Sequence, residues 1–430
     1  MFDSVQLAEW VLDARRRTLD LVADLSDEQL LVPKLGIVNP FLWEIGHVAW
    51  FAEKWVLRHA AGRKPIWADG DALYDSAAVP HDTRWDLLLP SRNDTLLYMR
   101  RVLDGIQERL QKTELNPEER YFVLLAVFHE DMHTEAFTYT RQTLDYPAPR
   151  FSGLQPADLA GGALAGDVLI PGAVFALGAT ANEPFVFDNE KWAHPVEITP
   201  FAIARAPVTQ TEFAAFVDDG GYRRQEWWTP DGWEWRRKAD ADHPLYWKLD
   251  GRDWLRRDFD RWVSLEPNRP VVHVNWYEAQ AYCRWAKRRL PTETEWEVAA
   301  SAEPDARRQR LSATKRRFPW GSEVPSPARA SLDWRAMGCC DVGACPEGDS
   351  AFGCRQMIGN VWEWTANTFQ PYPGFVADPY KEYSQPWFGT RKVLRGGCWA
   401  TRSRLLRNTW RNYFTPERRD VIAGFRTCAV

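Results

Sequence analysis

Phe128-His129-Glu130-Asp131-Met132-His133-Thr134-Glu135 sets two histidines four residues apart. On a helix that spacing stacks both imidazoles on one face, one turn above the other. One rigid element can then offer two ligands to one metal ion. The flanks support a helix: Asn116 suits the N-cap, Pro117 the first helical position, and Glu119 the acid of a capping box. Phe122, Leu125, Val127, Phe128, Met132 and Phe137 supply apolar faces, so the histidines are expected to point into a bundle or a cleft. The pair reads as metal-binding, with two hydrogen-bonded core histidines or a purely structural zinc as the alternatives.

Working outward, His47 is the best third ligand. It lies mid-helix in the apolar run Phe41-Leu42-Trp43-Glu44-Ile45-Gly46-His47-Val48-Ala49-Trp50-Phe51, which Asn39-Pro40 opens and which continues to about Ala60. Three neutral imidazoles leave open positions on a metal, as a catalytic site requires; spacing does not choose iron over zinc. His59, His81, His194, His243 and His273 have no such companions and read as polar or structural.

Further helices are expected over Ser4 to Asp24, after a Ser26/Gln29 capping box, and from about Asn93 to Gln111. Four main helices suggest a four-helix bundle over residues 1–150, a fold that builds cofactor sites from inward side chains on facing helices. Pro156, Gly161, Gly162 and Gly166 mark a linker over 151–166. From 167 to 430 the chain reads as loop-rich α+β. Strands are expected at Val168-Leu169-Ile170, Val174-Phe175-Ala176-Leu177, Val196-Glu197-Ile198 and Phe201-Ala202-Ile203. Capping boxes at Thr209/Glu212, Asn275/Glu278 and Thr292/Glu295 announce helices.

At 430 residues, with 45% hydrophobic and 26% charged residues, the chain has the composition of a globular protein with two domains. A net charge of −5 without a basic run argues against nucleic acid and anionic membrane as partners. No apolar stretch is long enough to span a bilayer, and Met1-Phe2-Asp3-Ser4-Val5-Gln6 lacks a signal-peptide core, so a cytoplasmic, reducing setting is expected. The seven cysteines are then expected as thiols. Cys339, Cys340, Cys345 and Cys354 fit no usual zinc spacing, and Cys283 reads as a buried apolar thiol. The aromatic content, 24 Trp, 13 Tyr and 21 Phe, allows aromatic-lined pockets, including cages for cations, or thick cores around short strands.

Gly359-Asn360-Val361-Trp362-Glu363-Trp364 is followed by Leu394-Arg395-Gly396-Gly397-Cys398-Trp399, Arg411-Asn412-Tyr413-Phe414 and Ala423-Gly424-Phe425-Arg426. These intervals read first as tight turns locked by stacking and ion pairs. Together with the histidine segments they resemble a DinB-type four-helix bundle joined to a C-type-lectin-like formylglycine-generating-enzyme (sulfatase-modifying-factor) fold, the architecture of the ergothioneine-synthase family. The resemblance covers nearly the whole chain. It implies an O2-dependent non-haem iron enzyme that joins a chalcogen to imidazole C2 of hercynine. Gly46-His47 and His129-x-x-x-His133-x-Glu135 match the family's ligand segments, so the resemblance implies Fe(II) on His47, His129 and His133, with dioxygen as co-substrate.

Two departures matter. Ergothioneine synthases commonly carry glutamine where Met132 stands, in contact with hercynine. Their Arg-Asn-Trp-Asp motif corresponds to Arg411-Asn412-Tyr413-Phe414, and a phenylalanine cannot pair with the ammonium of γ-glutamylcysteine. Asn39 to His47 and Leu73-Tyr74-Asp75-Ser76-Ala77-Ala78-Val79-Pro80-His81-Asp82-Thr83-Arg84-Trp85 are more similar to selenoneine synthases, which take selenium from a selenosugar. The resemblance therefore implies small-molecule substrates, hercynine and a selenosugar, held by Asn412, Tyr413, Phe414, Met132 and Arg84. A proton- or electron-donating tyrosine is expected at Tyr380, which the family's Pro-Tyr-x-Glu-Tyr-Ser run matches; Tyr383 is second and Tyr74 third. The alternatives are an ergothioneine-type sulfoxide synthase using γ-glutamylcysteine or cysteine and, more remotely, a DinB-type metal-dependent thiol transferase. A formylglycine-generating oxidase would leave the histidines unexplained, as would a lectin-like binding module.

Overall fold

The computed structural model describes residues 2–112, 114–151, 154, 160–305, 307 and 310–430. The chain divides into two compact units, Met1–Gly153 and Leu154–Val430. Pro156, expected in the linker, lies outside the described residues.

The first unit is helical. Its helices are α1 (Ser4–Asp20), α2 (Asp27–Leu31), α3 (Phe41–Ala52), α4 (Gly70–Tyr74), α5 (Arg92–Lys112) and α6 (Pro117–Thr143). α1, α3, α5 and α6 form the bundle, with α1 and α3 each packed against both α5 and α6. Every residue of α3 is buried, which is what a helix apolar on all sides requires. α6 starts as expected: Asn116 and Glu119 exchange side chain-to-backbone hydrogen bonds, and Pro117 occupies the first position, where no donor is lost. The Ser26/Gln29 box heads α2 in the same way.

Two ends differ from expectation. α1 stops at Asp20 rather than Asp24, because Asp24 turns away to accept two hydrogen bonds of 2.8 Å from Arg141 of α6. The helix after Asn39 does not run to Ala60 as one α-helix; beyond Ala52 it continues as a π-helix over Glu53–Ala60. The buried Glu53 at that junction accepts from the Tyr98 hydroxyl and from the Ile66 amide, the latter at 2.5 Å.

The second unit is α+β. One sheet orders the strands Asp167–Ile170, Phe201–Ala204, Cys428–Ala429 and Arg288–Arg289, all antiparallel, so the end of the chain pairs beside the unit's first strands. Another orders Asn412–Phe414, Lys392–Arg395, Trp362–Thr368 and Ala423–Gly424, the last pair parallel. Ala173–Leu177 with His194–Ile198 forms a hairpin, and residues 247–264 carry a three-stranded meander. Helices α7 (Gln210–Asp218), α8 (Pro230–Lys238), α9 (Trp276–Trp285) and α10 (Glu293–Ser301) complete it, and the boxes at Thr209, Asn275 and Thr292 cap α7, α9 and α10.

The C-terminal motifs are held by buried ion pairs. Arg395 meets Glu293 and Glu297, Arg411 meets Glu293, and Arg426 meets Glu363. Trp296, Trp362 and Trp364 are fully buried, and Trp296 Nε1 donates to Glu363 at 2.8 Å. Fully desolvated charges are tolerated when they are paired and hydrogen-bonded, and each of these guanidiniums also reaches a backbone carbonyl.

Candidate functional site

His47 on α3 and His129 and His133 on α6 come together inside the bundle, with potential ligand atoms all within 4.8 Å of one another. Ring centroids are 5.1 Å apart for His47 and His129, 5.0 Å for His47 and His133, and 4.5 Å for His129 and His133. Among the described residues this is the one group of three or more His, Cys, Asp or Glu side chains so placed.

The surroundings fix how the rings point. His47 Nδ1 lies 2.7 Å from the backbone oxygen of Tyr74, and His133 Nδ1 lies 2.6 Å from Oε1 of Glu44. Both partners are acceptors, so each Nδ1 carries a proton, and in the neutral His47 ring Nε2 keeps its lone pair free. Histidine ligands are usually oriented by such a carbonyl or carboxylate. Stacking holds the planes: Trp43 lies 4.7 Å from His47 at 11°, and Phe51 lies 3.6 Å from His129 at 5°. Burial, reinforced by the neighbouring His133, holds His47 and His129 well below the usual histidine range, so both are neutral at neutral pH. Three converging imidazoles are a donor set for a divalent transition metal that leaves coordination positions open.

Gly46 makes the packing possible. A β-carbon there would sit 2.3 Å from the Tyr74 ring, and it is the Tyr74 carbonyl that holds His47. The Tyr74 phenol is itself buried and pushed up to about 12 by desolvation, so its visible contribution is its backbone. Arg84 stacks on Trp43 with its guanidinium carbon 4.0 Å from the ring centroid and donates to Asn39 Oδ1 at 2.5 Å. Burial lowers its pKa, and the Glu44 charge opposes that shift. Met132 is half-buried on α6, between the two histidines. Glu44 is the residue that sequence reasoning missed. Its signal was available, an acid in an otherwise apolar run, three residues before His47 and so on the same helix face.

The remaining predicted residues gather in the second unit. Tyr380 and Tyr383 lie 6.2 Å apart and Tyr383 and Tyr413 6.0 Å apart, while Tyr383 stacks on Phe187 and Tyr413 on Phe369. The Tyr383 hydroxyl accepts from Trp410 Nε1 at 3.3 Å. Burial raises the pKa of Tyr383 and Tyr413, so both phenols keep their protons at neutral pH. Asn412 Oδ1 accepts from the Tyr413 amide at 2.8 Å, and Phe414 lies beneath Arg418, 5.1 Å from its guanidinium carbon. Ser384 donates to the buried Asp188 at 2.5 Å; desolvation pushes that carboxyl up to about 6.

Residues 12–136 match the DinB superfamily, and residues 156–429 match the sulfatase-modifying factor enzyme 1-like domain. The hercynine oxygenase of Mycolicibacterium thermoresistibile is 37% identical over 429 residues, covering 98% of this chain and 94% of that protein. That of Mycobacterium tuberculosis is 36% identical, covering 98% of both. This chain belongs to the hercynine oxygenase family. It is an oxidoreductase with a DinB-like helical domain followed by a formylglycine-generating-enzyme-like domain. The formylglycine-generating enzyme of Streptomyces coelicolor is 32% identical over 303 residues, covering 61% of this chain and 88% of that enzyme. Membership extends over both units, since the whole-chain relatives span histidine triad and tyrosine cluster alike. No helix among the described residues is long and apolar enough to cross a membrane.

Proposed function

We propose that this enzyme uses iron(II) and dioxygen to form a carbon–selenium bond at imidazole C2 of hercynine, taking selenium from a selenosugar. The observation that carries the reading is the triad of His47, His129 and His133, with His47 aimed by the Tyr74 carbonyl and His133 by Glu44, in a chain whose whole-length relatives are hercynine oxygenases. Iron(II) held by the three imidazoles would supply dioxygen activation and a place for the chalcogen donor.

The chain's own residues do the rest. Asn412 and Tyr413 bind hercynine, its trimethylammonium lying against aromatic faces at roughly 0.5–2 kcal/mol per contact. Met132 and Arg84 border the histidines and contact the substrates there. Tyr380 supplies a proton or electron, with Tyr383 next and Tyr74 third; a phenol kept protonated by burial, as Tyr383 is, can act as a general acid. Phe414 supports the selenosugar, because an apolar ring offers no counter-charge to a donor's ammonium and suits a sugar face.

The test is anaerobic reconstitution with iron(II), then a three-way competition among a selenosugar, γ-glutamylcysteine and cysteine, with hercynine and air. Mass spectrometry is expected to find the selenium-substituted product in excess. A sulfoxide as the main product would assign a thiol donor instead, and turnover without oxygen would point to a DinB-type thiol transferase. Full turnover by His129→Ala would overturn the metal assignment.

A further inference from the structure

The seven cysteines take no part in that reading, and all are buried. Two stand apart. Cys340 and Cys345 share a small buried cluster of their own with Ala344; Cys345 Sγ donates to the Pro327 carbonyl at 3.5 Å, and Cys340 Sγ accepts from Gln356 Nε2 at 3.4 Å.

The loop between them is pinned from several sides. The Asp341 carboxylate accepts from the Gly161 and Gly162 amides at 3.0 and 2.9 Å, the Gly343 amide donates to the Gly162 carbonyl at 3.0 Å, and Arg355 donates to the Gly343 carbonyl at 2.7 Å. The strands of this crossing touch so closely that a β-carbon on Gly161 would lie 2.2 Å from the Ala344 nitrogen. Cys345 itself has φ of 58°, a left-handed conformation uncommon for a residue with a side chain. The fold thus spends strain on holding this thiol where it is.

The pair is also asymmetric. Cys345 is the more accessible, 6% exposed against 2% for Cys340. The neighbouring Cys340 thiol, helped by the Arg355 charge, lowers the Cys345 pKa, whereas Cys340 is raised. Burial raises Cys283, Cys339, Cys354 and Cys428, which leaves them inert at neutral pH.

We propose that Cys340 and Cys345 are a redox-modifiable dithiol that closes to an intramolecular disulfide when hydrogen peroxide is the oxidant. The Cys345 thiolate attacks one peroxide oxygen; the O–O bond breaks, and the departing hydroxide takes a proton to become water. Cys345 is now a sulfenic acid. The Cys340 sulfur attacks it, the S–S bond forms, and the sulfenic hydroxyl leaves with the Cys340 proton as a second water. Two thiols have lost two electrons, and one peroxide has gained them.

Peroxide titration of the full chain, alkylation of the remaining thiols and digestion without reduction test this. Cleavage before Asp341 and Asp349 puts Cys340, Cys345 and Cys354 on three different peptides. The expected product joins the Cys340 and Cys345 peptides with the loss of two hydrogens, leaves Cys283 and Cys354 alkylated, and reverts with a thiol reductant. Cys339 shares the Cys340 peptide, so the cross-link should persist in Cys339→Ser and vanish in Cys340→Ser. In Cys340→Ser, a cyclic 1,3-dione should trap the stranded sulfenic acid on Cys345. A different pairing would overturn the proposal. So would Cys345 driven to sulfinic acid without a cross-link, thiols that stay reduced while added free cysteine is oxidised, or an untrappable Cys345 in Cys340→Ser.

Discussion

Glu44 carries one hydrogen bond of consequence, the 2.6 Å contact to His133. Removing an outer partner of a ligating histidine typically weakens metal binding about 10–100-fold. Glu44→Gln, which keeps an acceptor without the charge, is expected at the lower end and Glu44→Ala at the upper, in competition titrations against a chelating dye. Unchanged affinity in both would remove the orienting role. Gly46→Ala acts one residue from His47 by a different route. Its methyl must displace the Tyr74 ring, an overpacking that costs about 1–3 kcal/mol and shifts the carbonyl that holds His47. Lowered thermal stability together with weakened metal binding is the expected result; a fully stable variant with native affinity would contradict the close approach. Asp188 gives a pH signature. Its folded pKa, about 6 through burial, lies above the ordinary 3.8, so the folded state holds a proton that the unfolded state has released. Stability from this carboxyl is complete below about pH 4 and is lost as pH rises through about 6, with at most about 3 kcal/mol at stake. Asp188→Asn keeps an acceptor for Ser384 and should gain stability over wild type as pH rises from about 4 to about 7. Parallel urea-unfolding profiles for the two proteins across that window would refute it.

At the level of elements, α6 was the most legible part of the chain. Its cap, its Pro117 and its histidine spacing all act within a few residues, where sequence and structure share the same local physics. The π-helix over Glu53–Ala60 was not legible, because it is tied to Glu53 meeting Tyr98 and Ile66, contacts far outside any helical window. The early end of α1 has a similar origin in Asp24 and Arg141. Long-range charge also braces α6 beneath the site. Glu130, next to His129, receives Arg15 Nε at 2.8 Å and the Thr18 hydroxyl at 2.8 Å, all three being buried residues. Deleting one member of a buried ion pair leaves the other desolvated and alone, at a cost of about 3–5 kcal/mol. Arg15→Ala should lose that much in denaturant unfolding, whereas Arg16→Ala, an exposed neighbour paired with Asp13, should change little. Equal losses for the two would show that burial is not what sets the effect.

For the molecule as a whole, the motifs pointed to a helical bundle followed by an α+β fold, and the three histidines that come together each sit on a strongly patterned helix. What the sequence could not order is the second unit's interior. Glu293 meets both Arg395 and Arg411 across about a hundred residues of chain, a pairing with no local signature. A metal at the proposed site would link it back to global stability, because the three histidines come from α3 and α6 and are assembled only when the bundle is folded. An ion that binds the folded state alone stabilises it by about 2.7 kcal/mol when free metal stands a hundredfold above its dissociation constant. For a unit of this size that corresponds to an upward shift of roughly 5–10 °C. Anaerobic thermal unfolding with and without iron(II) should show the shift, and a chelator should reverse it. His129→Ala, one ligand short, should melt at the same temperature in both conditions. A shift of equal size in that variant would mean that the ion binds elsewhere, and the triad would lose its claim to the metal.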